Sequence, residues 1–532
     1  MALSNSAKQS VFVFGGTLTS RILGFVRLVL IGTTLGYTRL ADSYSLANET
    51  PNMMYELMLG SLIAATMLPF FVEQYKRKDK KADQALMTFV FTSAIGLTLL
   101  TLVLAPFLAD FMTSLNSSST ANAQRNLVIF FLMFFLPQIF FYAMTSAMQA
   151  YLNARARFVA AAYVPIVNNI VVIAVLVYIR TRINEFDVPL DKIKSLELTL
   201  ILSIGTTLGV ALITGFLALA YINAGGSFKF TSMRHNNVRS LITRSKWMVA
   251  YAGANQITLF IIIAFANSIK GGVLMYLVAW SFFQLPHGLI ANSIMTTMIP
   301  RITHTLEVAK DNINKIKMGS ETALLTRQVA TGLIVLMSAF SALTIAVASP
   351  ALVLLISHGE ISVEQGEHTA RVLIGFISFL PAFSLYLFGV RLANSLNITR
   401  TAFFINVAQN SLNIILAFFL KENFTTVGLA VGFSASYFIV LPISIYVNSK
   451  YLGEPLLQKS TSLIMSFASA VAAGAGYYAS ISTENLYLGV LSGAITCLIF
   501  LGIGALFARR QLTELKELIF TRKVEDQLVQ EG

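Results

Sequence analysis

Apolar residues recur in blocks of about 20 from one end of the chain to the other, the length that crosses a bilayer as an α-helix. The blocks fall near residues 10–36, 43–73, 84–111, 127–153, 158–180, 198–223, 247–269, 271–300, 323–356, 370–395, 401–420, 425–448, 461–481 and 486–507. This pattern predicts an all-α polytopic membrane protein of about fourteen transmembrane helices. No short hydrophobic core with a small-residue cleavage site precedes the first block, so no cleaved signal peptide is expected.

The polar segments between blocks alternate in charge. Basic ones hold Lys76–Lys81, Arg155–Arg157, then Lys229, Arg234, Arg239, Arg244 and Lys246, then Arg301, Lys310, Lys315 and Lys317, and finally Arg509 and Arg510. Between them lie Ser114–Gln124, Asn184–Asp191 and the group Glu360, Glu364 and Glu367, which are neutral or acidic. Basic residues collect in cytoplasmic loops, so both termini are expected in the cytoplasm. The same bias accounts for the net charge of +13 without a nucleic-acid partner. Segments 228–244 and 305–320 are basic and weakly amphipathic, which predicts helices lying on anionic lipid, and the tail after 508 reads as a short surface helix.

The chain also repeats. ATMLPFF (Ala65–Phe71) and TTMIPRI (Thr296–Ile302) end the second and eighth blocks, with Pro69 and Pro300 separated by 231 residues. Asn153 pairs with Asn397, and Asn169 with Asn413, each 244 residues apart. Two six-helix lobes related by a pseudo-twofold axis, plus two extra C-terminal helices, follow as the expected architecture. That places an N-lobe at 1–224, a C-lobe at 225–448, the extra pair at 449–508 and a cytoplasmic tail at 509–532. Parallel repeats of this kind are a transporter architecture, with the substrate site between the halves.

Charge is scarce within the blocks: 56% of residues are hydrophobic and 12% charged, about half the charged fraction of a soluble domain. Arg21 and Arg27 stand out in SVFVFGGTLTSRILGFVRLVLIGTTLG, because an arginine at the centre of a lone spanning helix costs roughly 2.5–3.5 kcal/mol. Asp42, Glu49 and Glu56 follow at spacings of seven, so they are expected on one face of the second helix, with a kink at Pro51. Two readings stand. The arginines either neutralise these acids and join two helices, or leave at least one guanidinium for an anionic cargo, whose phosphate oxygens suit its fork. These charges are expected to be confined to the first half. Blocks 247–269, 271–300 and 401–420 offer Asn255, Gln256, Asn267, Gln284, His287, Asn406 and Asn410, residues that more often join membrane helices. The one cysteine and five histidines form no metal-ligand pattern, and no Walker loop or HExxH is present, so neither a metal, a cofactor nor an enzyme activity is expected.

TSRILGFVR, ADSYSLANETPNMMYELMLGS and LPFFVEQY resemble the opening of the MurJ (MviN) lipid II flippases, within the multidrug/oligosaccharidyl-lipid/polysaccharide exporter superfamily. YLVAWSFFQLPHGLIANSIMTTMIPRIT and RLANSLNITRTAFFINVAQNSLNI extend the resemblance over essentially the whole chain. The wording is closer to Gram-positive, actinobacterial-type members. The resemblance implies a bacterial cytoplasmic-membrane transporter that carries the undecaprenyl-pyrophosphate-linked muropeptide lipid II from the inner to the outer leaflet by alternating access, without ATP hydrolysis. It implies two lobes around a cationic cavity, a groove for the polyprenyl tail at the extra helix pair, and a monomer working beside cell-wall synthesis partners among membrane lipids. It implies Arg21 and Arg27 as pyrophosphate contacts and Asp42 as the acid opening the second helix. Asn52 and Glu56 complete the expected substrate contacts, while Gly24, Glu49, Pro51, Gln284 and His287 are candidates for structural or gating roles. Asp42 and Glu56 are expected to hold the arginines when cargo is absent. The sequence departs from many proteobacterial members by carrying Tyr55 and Glu56 where they have arginines. Residues 247–269 contain no acid, so no sodium site is expected there. Alternatives are a carrier for another polyprenyl-linked saccharide, a drug exporter of the same superfamily, or a non-transporting scaffold of cell-wall synthesis.

Overall fold

The computed structural model describes residues 5–182, 197–231, 246–311, 315–396 and 398–509. Expectations for the loop 184–191, for most of the basic segment 228–244, for Asn397 and for the tail beyond 509 lie outside them. Among the described residues every regular element is helical.

Packing divides the chain into two units: Met1–Val278 with His358–Ser362, and Ala279–Ser357 with Val363–Gly532. The repeat-based boundary near residue 224 therefore differs from the packing boundary. The helix Lys246–Asn267 belongs with the first unit because its terminal Asn267 bonds to Gln124 and to the Met112 carbonyl.

The first unit comprises α1 (Asn5–Leu35), α2 (Arg39–Tyr55), a π-helical turn (Glu56–Gly60), α3 (Ser61–Arg77), α4 (Lys80–Thr113), α5 (Ala121–Phe135), α6 (Gln138–Asn153), α7 (Phe158–Arg182), α8 (Glu197–Asn223) and α9 (Lys246–Asn267). Thr38 starts α2 by accepting from the Ala41 N–H at 3.2 Å, and Asp79 starts α4 by accepting from Lys81 and Ala82. Tyr44 anchors the core, edge-on to Phe131 and Phe135, with its hydroxyl 2.8 Å from Thr206 Oγ1. Of the basic loops, Arg155 is internally satisfied: Nη2 meets Asp83 Oδ2 at 2.9 Å, and the guanidinium lies over the Tyr151 ring.

Helix α10 (Gly272–Pro286) passes from the first unit into the second. There follow a second π-helical turn (His287–Ala291), α11 (Asn292–Asp311), α12 (Lys315–Ile356), α13 (Val363–Ile377), α14 (Leu380–Ser395), α15 (Thr399–Leu452), α16 (Lys459–Ile481) and α17 (Leu486–Phe507). The core of the second unit is aromatic, with Trp280, Phe283, Phe376, Phe383 and Phe433 in mutual ring contact. Small residues let α12, α16 and α17 approach closely around Ala346, Gly476, Gly493 and Cys497.

The repeat is visible in the backbone itself. The π-helical turns Glu56–Gly60 and His287–Ala291 are offset by 231 residues, the same offset that relates Pro69 to Pro300. A π turn inserts a residue into the helical ladder and is uncommon, so its recurrence at one repeat position carries more weight than apolar similarity.

Eleven described helices are long and apolar enough to cross a membrane, or twelve if the bent pair α13–α14 is one span. The expectation of fourteen is not returned, for two reasons. Block 43–73 is broken into α2, the π turn and α3, none of which reaches spanning length alone. Blocks 401–420 and 425–448 run together as α15, interrupted by the non-helical Thr425.

The turn joining α9 to α10 is tightly specified. Gly271 has φ +74°, and a Cβ there would lie 2.5 Å from Tyr37 Cβ and 2.7 Å from the Tyr37 carbonyl oxygen. Gly271→Ala is expected to lower the melting temperature in detergent by several degrees, reflecting a cost of about 1–3 kcal/mol. Gly96→Ala, in α4 with open space around it, is expected to leave the melting temperature unchanged or raise it.

Candidate functional site

Helix α1 carries Arg21 and Arg27 six residues apart, which sets them about 120° apart around the helix axis. Asn169 of α7 fixes the azimuth of α1: its amide donates to the Ser20 carbonyl at 3.0 Å and lies against Gly24, where a Cβ would sit 3.5 Å from Nδ2. Gly24 is thus a packing position against α7.

Both arginines are half-buried, and among the described residues no ion pair joins either to a carboxylate. Arg27 lies in electrostatic range of Glu49, Tyr44 and Tyr142, yet its Nε is buried with no hydrogen-bond partner. A buried guanidinium N–H without an acceptor is costly, and an anion arriving there removes that cost.

The expectation that Asp42 holds these arginines fails. Asp42 is fully buried and caps α10: Oδ2 accepts from the Gly271 N–H at 2.7 Å, and Oδ1 from Val273 at 3.0 Å and Leu274 at 3.4 Å. A carboxylate on a helix N-terminus is stabilised both by the unpaired N–H groups and by the helix dipole. Arg39 does the reverse at the preceding helix end, donating to the Asn267 carbonyl at 2.5 Å while its Nη1 sits 3.9 Å from Asp42. An amide chain extends this cluster. Asn116 donates to Gln124 at 2.5 Å, Gln124 to Asn267 at 2.8 Å, and Asn267 to the Met112 carbonyl at 3.1 Å. The cluster joins α2, α4, α5, α9 and α10 at one end of the unit.

Of the other two acids spaced at seven, Glu49 lies in electrostatic range of Arg27. Glu56 opens the π turn with its N–H still bonded to the Asn52 carbonyl, and its carboxylate lies against Gly60, so the helical phase shifts only beyond it. Pro51 is buried and Asn52 exposed. In the second unit His287 is buried, with Nδ1 2.9 Å from Ser384 Oγ and its ring against Phe383, while Gln284 is half-buried. Asn406, Gln409, Asn410 and Asn413 of α15 are buried; Asn410 donates to Asn406 one turn away in the same helix, and Gln409 donates to Ser436 beyond the break at Thr425.

Sequence reasoning missed two residues. One is Arg39, for which its proximity in sequence to Asp42 was the available signal. Arg391, inside block 370–395, overturns the expectation that span charges are confined to the first half. It is half-buried on α14, with Nη2 2.5 Å from Asn292 Oδ1.

Asp42→Ala strands three N–H groups, at a cost of about 1–3 kcal/mol for each one left unsatisfied. The expected order of melting temperature is wild type, then Asp42→Asn, then Asp42→Ala, with Glu56→Ala close to wild type. Thermal unfolding of the purified full chain checks this order.

The comparisons with known proteins agree with one another. The family model described as lipid II flippase MurJ matches residues 31–496. The probable lipid II flippase MurJ of Rhizobium meliloti is 24% identical over 383 residues, covering 71% of this chain and 68% of that protein. A solved lipid II flippase MurJ in an inward closed conformation superposes with a TM-score of 0.74 at 18% identity, covering 94% of this chain and all of the other. An inward-facing MATE-family multidrug transporter of the wider superfamily gives 0.64 at 12% identity, covering 81% of this chain and 94% of that one. With the family model spanning most of its length, this multi-pass membrane chain belongs to the MurJ lipid II flippase family.

Proposed function

We propose that the chain moves lipid II from the inner to the outer leaflet of the bacterial cytoplasmic membrane by alternating access, with both termini in the cytoplasm and without ATP hydrolysis. Membership of the family supports the cargo. The observation that carries the site assignment is the pair of first-helix arginines, which form no ion pair among the described residues, one of them holding a buried Nε without an acceptor. Pyrophosphate presents several anionic oxygens, and two guanidinium forks set at different azimuths engage different ones. Glu49, in electrostatic range of Arg27, balances that charge between transport events. The exposed Asn52 and the half-buried Glu56 contribute polar contacts near the head group.

Asp42 acts as a latch in this proposal. Its bonds to Gly271, Val273 and Leu274 tie the start of α10 to α2, and α10 continues into the second unit. Alternation between two access states requires a bistable element, and a fully satisfied carboxylate at a helix end supplies one that breaks as a unit. The polyprenyl tail is assigned to a cavity of about 430 Å³ in the second unit, lined by Ile334, Ile345, Phe438, Ala470 and Ala473 on α12, α15 and α16. A scaffold role is disfavoured because the arginines are not used to join helices through ion pairs.

In cells depleted of their own flippase, Arg21→Ala and Arg27→Ala are each expected to fail to support growth at normal membrane abundance. Growth supported by both variants would remove the arginines from the mechanism. Ala470→Trp, which fills the tail cavity, is expected to slow lipid II translocation several-fold with melting temperature unchanged; an unchanged rate would place the tail elsewhere.

A further inference from the structure

The seam between the second π turn with α11, on one side, and α14, on the other, holds three polar pairs that follow the same chain order. His287 meets Ser384 at 2.9 Å, Asn292 meets Arg391 at 2.5 Å, and Thr303 meets Ser395 at 2.9 Å. Both strands of the seam run in the same direction, so the pairs form a polar track along a helix pair whose surroundings are apolar. Only Arg391 in this track carries a fixed charge. Its one hydrogen-bond partner is the neutral carboxamide of Asn292, and among the described residues no carboxylate forms an ion pair with it. His287 lies in electrostatic range of Arg391 and supplies no negative charge.

A structural role accounts poorly for this arrangement. A neutral glutamine would satisfy Asn292 without the roughly 2.5–3.5 kcal/mol that an arginine costs inside a span. Asn292 accepts one N–H on Nη2, leaving most of the five guanidinium donors available on a half-buried side chain. Such a group is stabilised by an anion whose oxygens can take two of those donors together. Arg391 stands four residues before the end of α14, within reach of the head-group zone for a snorkelling side chain. An anion at that depth on a membrane helix is a lipid phosphate.

We infer that Arg391, oriented by Asn292, forms a phosphate-binding site of the second unit that engages the head group of a phosphate-bearing lipid. The sources of that phosphate are the pyrophosphate of the cargo or the phosphodiester of a bulk anionic phospholipid. The first deepens the flippase reading and rests on it; the second is independent of it.

Native mass spectrometry of the purified full chain with lipid II and, separately, with phosphatidylglycerol tests the site. Arg391→Gln is expected to weaken binding of one of the two about tenfold, the equivalent of one charge-assisted hydrogen bond. Its melting temperature should match wild type, since no carboxylate is stranded. Arg391→Lys keeps the charge and should lose only part of that affinity. Loss confined to lipid II assigns the site to cargo, and loss confined to phosphatidylglycerol assigns it to bulk phospholipid. Unchanged binding of both lipids by Arg391→Gln overturns the inference. Should that variant fail to fold, unchanged binding by Arg391→Lys overturns it instead. A wild-type chain that does not bind lipid II, yet loses phosphatidylglycerol on Arg391→Gln, would refute the flippase reading while leaving this site standing.

Discussion

The buried carboxylate of Asp42 is the interaction around which the first unit is organised. A fully buried anion is tolerated only when its oxygens are occupied, and here three backbone N–H groups at the start of α10 and the nearby Arg39 occupy them. That demand fixes the neighbours. Gly271 must be glycine because the backbone turns with positive φ against Tyr37 while offering its N–H to Asp42. Asn267 must present its carbonyl to Arg39 and its amide to α4. Gln124 and Asn116 close the remaining polar valences. A cluster satisfied to this degree holds as a unit and releases as a unit, the behaviour an alternating-access device needs.

The disposition of cations follows from that choice. With Asp42 committed to a helix end, the first-helix arginines form no ion pair with a carboxylate among the described residues. Glu49 lies in electrostatic range of Arg27, and the buried Nε of Arg27 still lacks an acceptor. Arg391, paired with a carboxamide in the second unit, likewise forms no ion pair among the described residues. The charge asymmetry seen along the sequence is thus one of number: the second unit also carries a charge within a span.

Much of this was legible in the sequence, and the reasons for the exceptions are specific. Apolar blocks and the Pro69/Pro300 register gave the helical membrane class and the repeat, because burial in lipid leaves no other backbone solution and because a π turn recurs at the same offset. The arginines of α1 were visible because charge inside an apolar run is rare. The partner of Asp42 was not, since the groups it binds are backbone N–H atoms more than 200 residues away, and any residue type supplies those. The apolar blocks 401–420 and 425–448 divide where Thr425 breaks α15, whereas periodicity does not report the π turn after Tyr55 that interrupts block 43–73. Arg391 lies near the end of α14, and only its distance to Asn292, 99 residues away in sequence, shows it engaged within the seam.

The central claim is that Arg21 and Arg27 hold the anionic head of lipid II during its passage. Translocation of labelled lipid II in proteoliposomes, by wild type and by the Arg21→Gln/Arg27→Gln double variant at equal incorporation, tests it most directly. The account predicts movement of the label to the opposite leaflet by wild type and a rate indistinguishable from protein-free vesicles for the double variant. Equal rates for the two proteins would contradict it.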